Sequence, residues 1–337
     1  MGGSLKVAHD LFQDSMVYVG DKPWHGLGTK IAASSTAKQF LEAANLDWKV
    51  SLDPAPGAKQ DKKRRWSRLI ISRDAVPPEK DRVALGMVTS RYEPLQNTGA
   101  FAFFDPLIAS RWASYEAAGA LGDGETVWVQ VKLRDDMEVQ AGDPINRYLL
   151  LRNRHNGEGA VSIRFTPIRV VCQNTLTFAE AKTSALANVR HSKAMPDRLL
   201  KVQAEVLKSE IEAFSARCSR IFQGMVKAKL TPLETLALLE KLCGAPPKGA
   251  PIDGLPARRT LVEERLAAQA EKDPLAGTGT AWALYNAITW AEDERARQRG
   301  QKNPEAGLNA IWFGGAADNK AAAFNVLGRV AGALMPA

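Results

Sequence analysis

Arg147-Tyr148-Leu149-Leu150-Leu151-Arg152-Asn153-Arg154-His155, then Asn156-Gly157-Glu158-Gly159, then Ala160-Val161-Ser162-Ile163-Arg164-Phe165-Thr166-Pro167-Ile168-Arg169, reads as two strands around a turn. Asn-Gly between two apolar runs is a strong hairpin signal, because both residues accept the positive φ of a tight turn. Leu149 and Leu151 on the first strand, with Ile163 and Phe165 on the second, are the obvious core set. For the four to share a face the loop must hold an odd number of residues, since a one-residue slip turns every side chain over. That register collects Arg152, Arg154, Arg164 and Thr166 on the opposite face, with Tyr148 and Leu150 among them. Such a row of guanidinium groups can neutralise a run of phosphates while the other face packs on helices. A solvated face paired with acids from elsewhere is the alternative.

Outward from this hairpin, Trp66 to Ser72, Val83 to Thr89 and Thr126 to Leu133 also read as strands, being rich in β-branched and aromatic residues. The last strand is expected to run from Val161 as far as Val171, and Gln173 to Lys182 to turn helical after it. Ala37 to Asn45 reads as a short helix with Ser34, Ser35 and Thr36 as available caps. Asn97 to Tyr115 carries a helical pattern that Pro106 should kink or split. After Met195 the texture changes. Pro196 to Lys229 is a long amphipathic pattern, and Thr231-Pro232 starts a helix over Leu233 to Leu242. A Pro- and Gly-rich stretch near 245–256 reads as a loop or linker, followed by helices over Ala257 to Lys272, Thr280 to Arg299 and Asp318 to Leu334. The expected fold class is α+β. An N-terminal antiparallel-rich sheet with packed helices fills 1–195, and an all-helical region follows over 196–337.

The charge balance points to a polyanionic partner. Among 337 residues, 45 are Lys or Arg against 37 Asp or Glu, a formal net charge of +8. Three stretches concentrate it. One holds Lys59, Lys62, Lys63, Arg64, Arg65, Arg68 and Arg73; the second holds Arg147, Arg152, Arg154, Arg164 and Arg169; the third holds Arg190, His191, Lys193, Arg198 and Lys201. Near the N-terminus, Pro23-Trp24-His25-Gly26-Leu27-Gly28 could stack on or hydrogen-bond a base, with glycines allowing close approach. His25 could instead serve as a general base or a structural side chain.

Catalytic and cofactor motifs are not found. There is no GxxxxGK[ST], no GxGxxG after a strand and no HExxH, and His9, His25, His155 and His191 lack metal-ligand spacing. Glu180-x-Lys182 is half of a metal-nuclease pattern, placed on an expected helix. Cys172, Cys218 and Cys243 suggest neither a disulfide framework nor a zinc site. No apolar run is long enough to cross a bilayer, so the chain is expected to be cytoplasmic, with no cofactor and no metal. Trp282, Tyr285 and Trp290, with Trp312 and Phe313 beyond them, read as core aromatics of the helical half.

Tyr18-Val19-Gly20, Pro23 to Gly28 and the run Phe165-Thr166-Pro167-Ile168-Arg169-Val170-Val171-Cys172-Gln173-Asn174-Thr175-Leu176 resemble motifs of the phage/plasmid-related protein family, a domain of unknown function found on mobile elements. Arg190-His191-Ser192, Thr280 to Ala287, Trp312-Phe313-Gly314 and Lys320 look like its later motifs. Several members carry Asn where this chain has Gln173. The resemblance covers roughly residues 10–332 and implies a gene carried on a mobile element. Such elements encode ATP-independent single-strand annealing proteins of the RecT/Redβ and Erf types, to which this chain is similar in kind: a small sheet on helices, a basic groove and assembly into rings or filaments. That likeness implies a homo-oligomer that binds single-stranded DNA. Arg152, Arg154, Arg164 and Arg169 would track the backbone, Lys62, Lys63, Arg64 and Arg65 would guide the second strand, and Trp24, His25, Arg190 and Lys193 would add contacts. Two other readings stay open. One is a nucleic-acid-modifying enzyme using His25 or His191, and the other a protein-directed accessory or anti-defence factor.

Overall fold

The computed structural model describes residues 11–20, 28–63, 65–139, 144–169, 174–175, 185–203, 207–245, 256–272, 279–300 and 315–332. Its organising element is the hairpin of β9 (Pro144–Arg154) and β10 (Val161–Arg169). Leu149 pairs with Phe165 and Leu151 with Ile163, the register that the shared core face requires. The turn closes locally. Gly157 takes a φ of +82°, and the Glu158 amide donates to the Asn156 side chain at 3.0 Å.

On one side β9 pairs with β7 (Thr126–Leu133), which pairs with β6 (Ala113–Leu121), then β1 (Leu11–Tyr18) and β2 (Thr29–Lys30). On the other side β10 pairs with β11 (Asn174–Thr175) and β12 (Ala185–Val189), and β8 (Met137–Glu138) pairs with β9. All these pairs are antiparallel except β1 with β2. One face carries Val17, Ala118, Val129, Val131, Leu149, Leu151, Ile163 and Phe165, all fully buried. It shares a core cluster with Phe40 of α1 (Ala37–Ala43), Phe101 of α2 (Asn97–Ala102) and Leu107 of α3 (Asp105–Ala109). α1 starts at a capping box in which Thr36 and Gln39 satisfy each other's backbone amides.

A second sheet, β3 (Val50–Pro54), β4 (Leu69–Arg73) and β5 (Val83–Val88), lies against the hairpin turn. A Cβ on Gly86 would sit 2.3 Å from the Asn156 carbonyl oxygen, and one on Gly157 would sit 2.5 Å from Val88 Cγ1. The two sheets therefore touch backbone to backbone at this point. Gly86→Ala is expected to lower stability by about 1–3 kcal/mol, through a clash that no rotamer relieves. Denaturant midpoints compared with those of Gly315→Ala, where nothing lies within 4 Å and the backbone is not left-handed, check it; equal midpoints would show that the contact is dispensable.

The helical half comprises α4 (Met195–Lys201), α5 (Leu207–Lys227), α6 (Pro232–Cys243), α7 (Ala257–Lys272), α8 (Ala281–Gly300) and α9 (Gly315–Val330). The fold is thus α+β, with its longer helices gathered at the C-terminal end. Trp282 and Tyr285 lie in its core with Phe222 and Phe324, ring centroids 5.0–6.1 Å apart. Among the described residues no helix is long and apolar enough to cross a membrane.

Several expected elements take a different form. The Asn97 to Tyr115 helix is two short helices and the start of a strand. Pro106 stands in the first turn of α3, Arg111 takes a φ of +57°, and β6 begins at Ala113. Of the long helix expected from Pro196 to Lys229, Met195–Lys201 and Leu207–Lys227 are α-helical, and residues 204–206 lie outside the described residues. Asn174 and Thr175, expected at the start of a helix, are strand residues paired with Arg169 and Ile168. The rest of Gln173 to Lys182, with Cys172, lies outside the described residues, as do most of the 245–256 stretch, Trp312 and Phe313.

Candidate nucleic-acid interface

The basic residues separate into structural and exposed sets once burial is known. Arg73 is fully buried and clamps Glu79 with two bonds of 2.6 Å, while its Nε donates to the Asp123 carbonyl. Arg147 is buried, donates to the Asp135 carbonyl and pairs with Glu212 at 3.4 Å. Both guanidinium groups hold segments together.

The hairpin's second face is not an open row of arginines. β7 adds Trp128 and Gln130 to that face, and Trp128, Gln130, Tyr148 and Leu150 are all buried there. Arg164, across from Leu150, is only 4% exposed, and Arg152, across from Trp128, is half-buried. The hairpin's own sequence says nothing of the residues its neighbouring strand supplies. Arg154 lies at the hairpin's end, half-exposed and without an ion pair to any described residue. The Arg169 side chain, Arg64, Trp24 and His25 lie outside what is described. Arg190 and Lys193 are exposed between β12 and α4.

The exposed charge is concentrated elsewhere. Residues 55–68, joining β3 to β4, extend that strand pair into a finger. Ala55 N donates to Arg68 O, Ser67 N to Lys59 O at 2.9 Å and Asp61 N to Arg65 O at 2.9 Å, with a further bridge between Gln60 and Trp66. Asp61 closes the tip. Its carboxylate accepts from the Lys63 and Arg65 amides at 2.9 and 2.8 Å and pairs with the Arg65 guanidinium at 2.7 Å. The Arg65 amide and guanidinium, then the Lys63 amide, hold that carboxyl below the usual range. Lys59, Lys62, Lys63 and Arg68 are exposed, and none of them pairs with a described acid. A run with Trp66 as its only large apolar side chain cannot bury itself, so its cations stay in water.

Along one side of the finger, Arg65, Trp66 and Ser67 face Thr89, Ser90 and Arg91, the turn that follows β5. With Asp61 these residues line a cleft of about 320 Å³. Arg91 is exposed and makes no ion pair with a described residue. Thr89 follows Val88, which touches the hairpin turn at Gly157, and the Tyr92 hydroxyl donates to the Arg154 carbonyl at 3.3 Å. Finger, cleft and hairpin end therefore adjoin. The sequence places Trp66 at the start of a strand, and a polar Thr-Ser-Arg turn directly after a strand is the signal that points to Arg91.

Beneath the hairpin end lies a buried polar group. The Asn97 amide donates to the Leu46 carbonyl at 2.9 Å, which turns its oxygen toward His155 Nε2, 3.0 Å away. Nε2 therefore carries the proton, and Nδ1 has no described partner. His191 stacks on Tyr92 at 4.8 Å and donates from Nδ1 to the Glu93 carbonyl. Burial, then proximity to His191, pushes the His155 ring down to about 3, and burial also lowers His191. Both rings stay neutral and serve as struts. Cys218 and Cys243 are buried thiols whose acidity burial suppresses. Among the described residues no group of three or more His, Cys, Asp or Glu could hold a metal ion.

Compared with known proteins, residues 84–312 match the family described as a domain of unknown function, DUF932. The match begins inside β5, so it takes in Arg91 and the hairpin but not the finger. No curated protein and no solved structure matches the chain.

Proposed function

The chain belongs to the DUF932 family, and from that premise we propose that it binds single-stranded nucleic acid and anneals it without ATP, in the service of a phage or plasmid. The observation that carries this reading is the exposed finger, where Lys59, Lys62, Lys63 and Arg68 have no acidic partner among the described residues. Solvated cations on one projecting element release counterions from a phosphate backbone at little desolvation cost. Arg154 and Arg91 extend the basic track toward the hairpin end, and Arg190 and Lys193 offer further exposed cations. Contacts of this kind go to phosphates and leave base edges open to a complementary strand, which is what annealing requires. Arg164, at 4% exposure, serves in this scheme as support for the sheet and not as a strand contact. Assembly into a homo-oligomer would lay many fingers along one strand.

The test is a salt titration with a fluorescent dT20 oligonucleotide. Wild-type affinity should fall steeply between 50 and 200 mM salt, roughly as a power law. Combining Lys59→Ala, Lys62→Ala, Lys63→Ala and Arg68→Ala should reduce the slope of log K against log salt by about 0.7 per lost contact, hence by about 3. An unchanged slope, or no wild-type binding at 50 mM salt, would end the proposal.

A further inference from the structure

The cleft between the finger and the turn after β5 has a composition that the finger's exposed lysines do not share. Those lysines offer charge alone, whereas the cleft, built partly from other finger residues, brings together an indole, three hydroxyls and two guanidinium groups. Its charges are also arranged. Asp61 takes two bonds from the Arg65 guanidinium, 2.8 Å from Nε and 2.7 Å by the other nitrogen, so that pair is close to neutral. Arg91, which pairs with no described acid, remains as the cleft's other charge, flanked in sequence by the Ser90 and Thr89 hydroxyls. The Ser67 hydroxyl accepts from the Lys59 amide at 3.0 Å, which leaves its proton to donate into the cleft.

We infer that this cleft is a single-nucleotide subsite, taking one base against Trp66 and the adjoining phosphodiester at Arg91 with the Ser90 and Thr89 hydroxyls. The assignment deepens the strand-binding reading and rests on it for the choice of a nucleic-acid ligand. The charge count selects the kind of phosphate. A diester carries one negative charge and matches Arg91; a triphosphate would bring several charges against one cation and against the nearby Asp61 carboxylate. The volume suits one small ligand and no more. A base can reach an indole face only when it has left the stack of a duplex, so the subsite favours single strands over double strands without reading sequence. Bases to either side stay open for pairing, because only one in the occupied stretch is held.

The probes are the dinucleoside monophosphate d(ApA), ATP and inorganic phosphate, titrated calorimetrically into the full chain beside the dT20 experiment. Wild type should bind d(ApA) more tightly than either ATP or phosphate. Trp66→Leu should weaken d(ApA) at least about fivefold, the lower end of what loss of a base–aromatic stack costs. Trp66→Phe should restore most of that affinity, which separates stacking from a folding defect, and Arg91→Ala should weaken d(ApA) by a similar factor. Equal d(ApA) binding by wild type and Trp66→Leu overturns the subsite, and so does tighter binding of ATP. If dT20 binds with the expected salt slope while d(ApA) does not bind at millimolar concentration, the subsite falls and the strand-binding reading stands. If d(ApA) binds in a Trp66-dependent way while dT20 does not bind, the subsite stands and the strand-binding reading falls.

Discussion

Lys320→Ala is expected to cost the fold about 3–5 kcal/mol, a large share of the stability of any domain. Lys320 of α9 is fully buried, and its ammonium group meets the Asp293 carboxylate of α8 inside the helical half. Beside it the Glu292 carboxylate, 2% exposed, pairs with Arg258 of α7 and lies 3.5 Å from Arg295, and the Asn319 amide donates to it at 3.2 Å. Two adjacent carboxylates in one turn of a buried helix are tolerable only while cations from neighbouring helices face them. Removing the ammonium group leaves Asp293 with an uncompensated charge or forces it to take up a proton. The direction is already visible in the intact protein, where burial pushes the Asp293 carboxyl up to about 6 and Lys320 pulls it back. Because the folded form then holds a proton more tightly than the unfolded chain, with its carboxyl near 4, this group's contribution is best in acid and is lost as pH rises from about 4 to about 6. The variant's deficit should therefore be larger at pH 7 than at pH 5. Lys320→Met combined with Asp293→Asn should recover most of the loss, since a neutral pair of similar volume removes the buried charge altogether. Denaturant melts of the two single variants and the double variant decide it. A double variant as unstable as Lys320→Ala would mean that packing, not charge, is at stake.

Lys320, His191, Trp282 and Tyr285 are all buried, and the last three fall within the stretch that matches the family. The most legible part of the sequence thus led to the architecture and only indirectly to the site. Strands with strong side-chain preference were plain. Thr126 to Leu133 is a strand over the stretch expected, and the helix over Ala257 to Lys272 keeps its expected ends. β6 was hidden because Ala113 to Leu121 is rich in Ala and Gly, with no β-branched residue to mark it. It is a strand because its neighbours need small residues there: a Cβ on Gly119 would lie 2.6 Å from the Ser15 carbonyl oxygen.

The candidate site shows the same division. Counting arginines and lysines located the basic stretches, but counting could not tell Arg73, locked to Glu79, from Lys62, which faces water. Burial depends on partners brought from elsewhere, and a hairpin's sequence does not name the strand beside it. Arg164 faces inward for that reason. The cleft was beyond reach on similar grounds. Trp66 and Arg91 are far apart in sequence and meet only because β4 and β5 pair in a register that sets Leu69 opposite Val88.

Acid should loosen the joint between the two sheets before it strips charge from any phosphate contact. His155 belongs to the hairpin, Asn97 to α2, and the Tyr92–His191 stack follows the cleft residue Arg91, so one buried polar group ties these segments together. Trp48 meets the His155 ring edge-on at 5.5 Å, and the Asn153 amide donates to the Leu95 carbonyl at 2.8 Å. With Nε2 donating to Asn97, the proton that acid offers must go to Nδ1, where no described acceptor waits. An unfolded chain takes up that proton near pH 6.5, whereas the folded ring resists it to about 3. Stability is therefore full above about pH 6.5 and drains as pH falls toward 3, with about 3 kcal/mol lost to this ring by pH 4. His155→Gln keeps a donor for Asn97 and does not titrate. It should start less stable at pH 7, through imperfect packing, and then lose less than wild type between pH 6.5 and 4. Chemical denaturation at half-unit pH steps measures both lines, and parallel lines would show that another group governs acid sensitivity. The same variant should hold its dT20 affinity to lower pH than wild type does, because the exposed lysines and arginines stay charged throughout and only the joint beneath them changes.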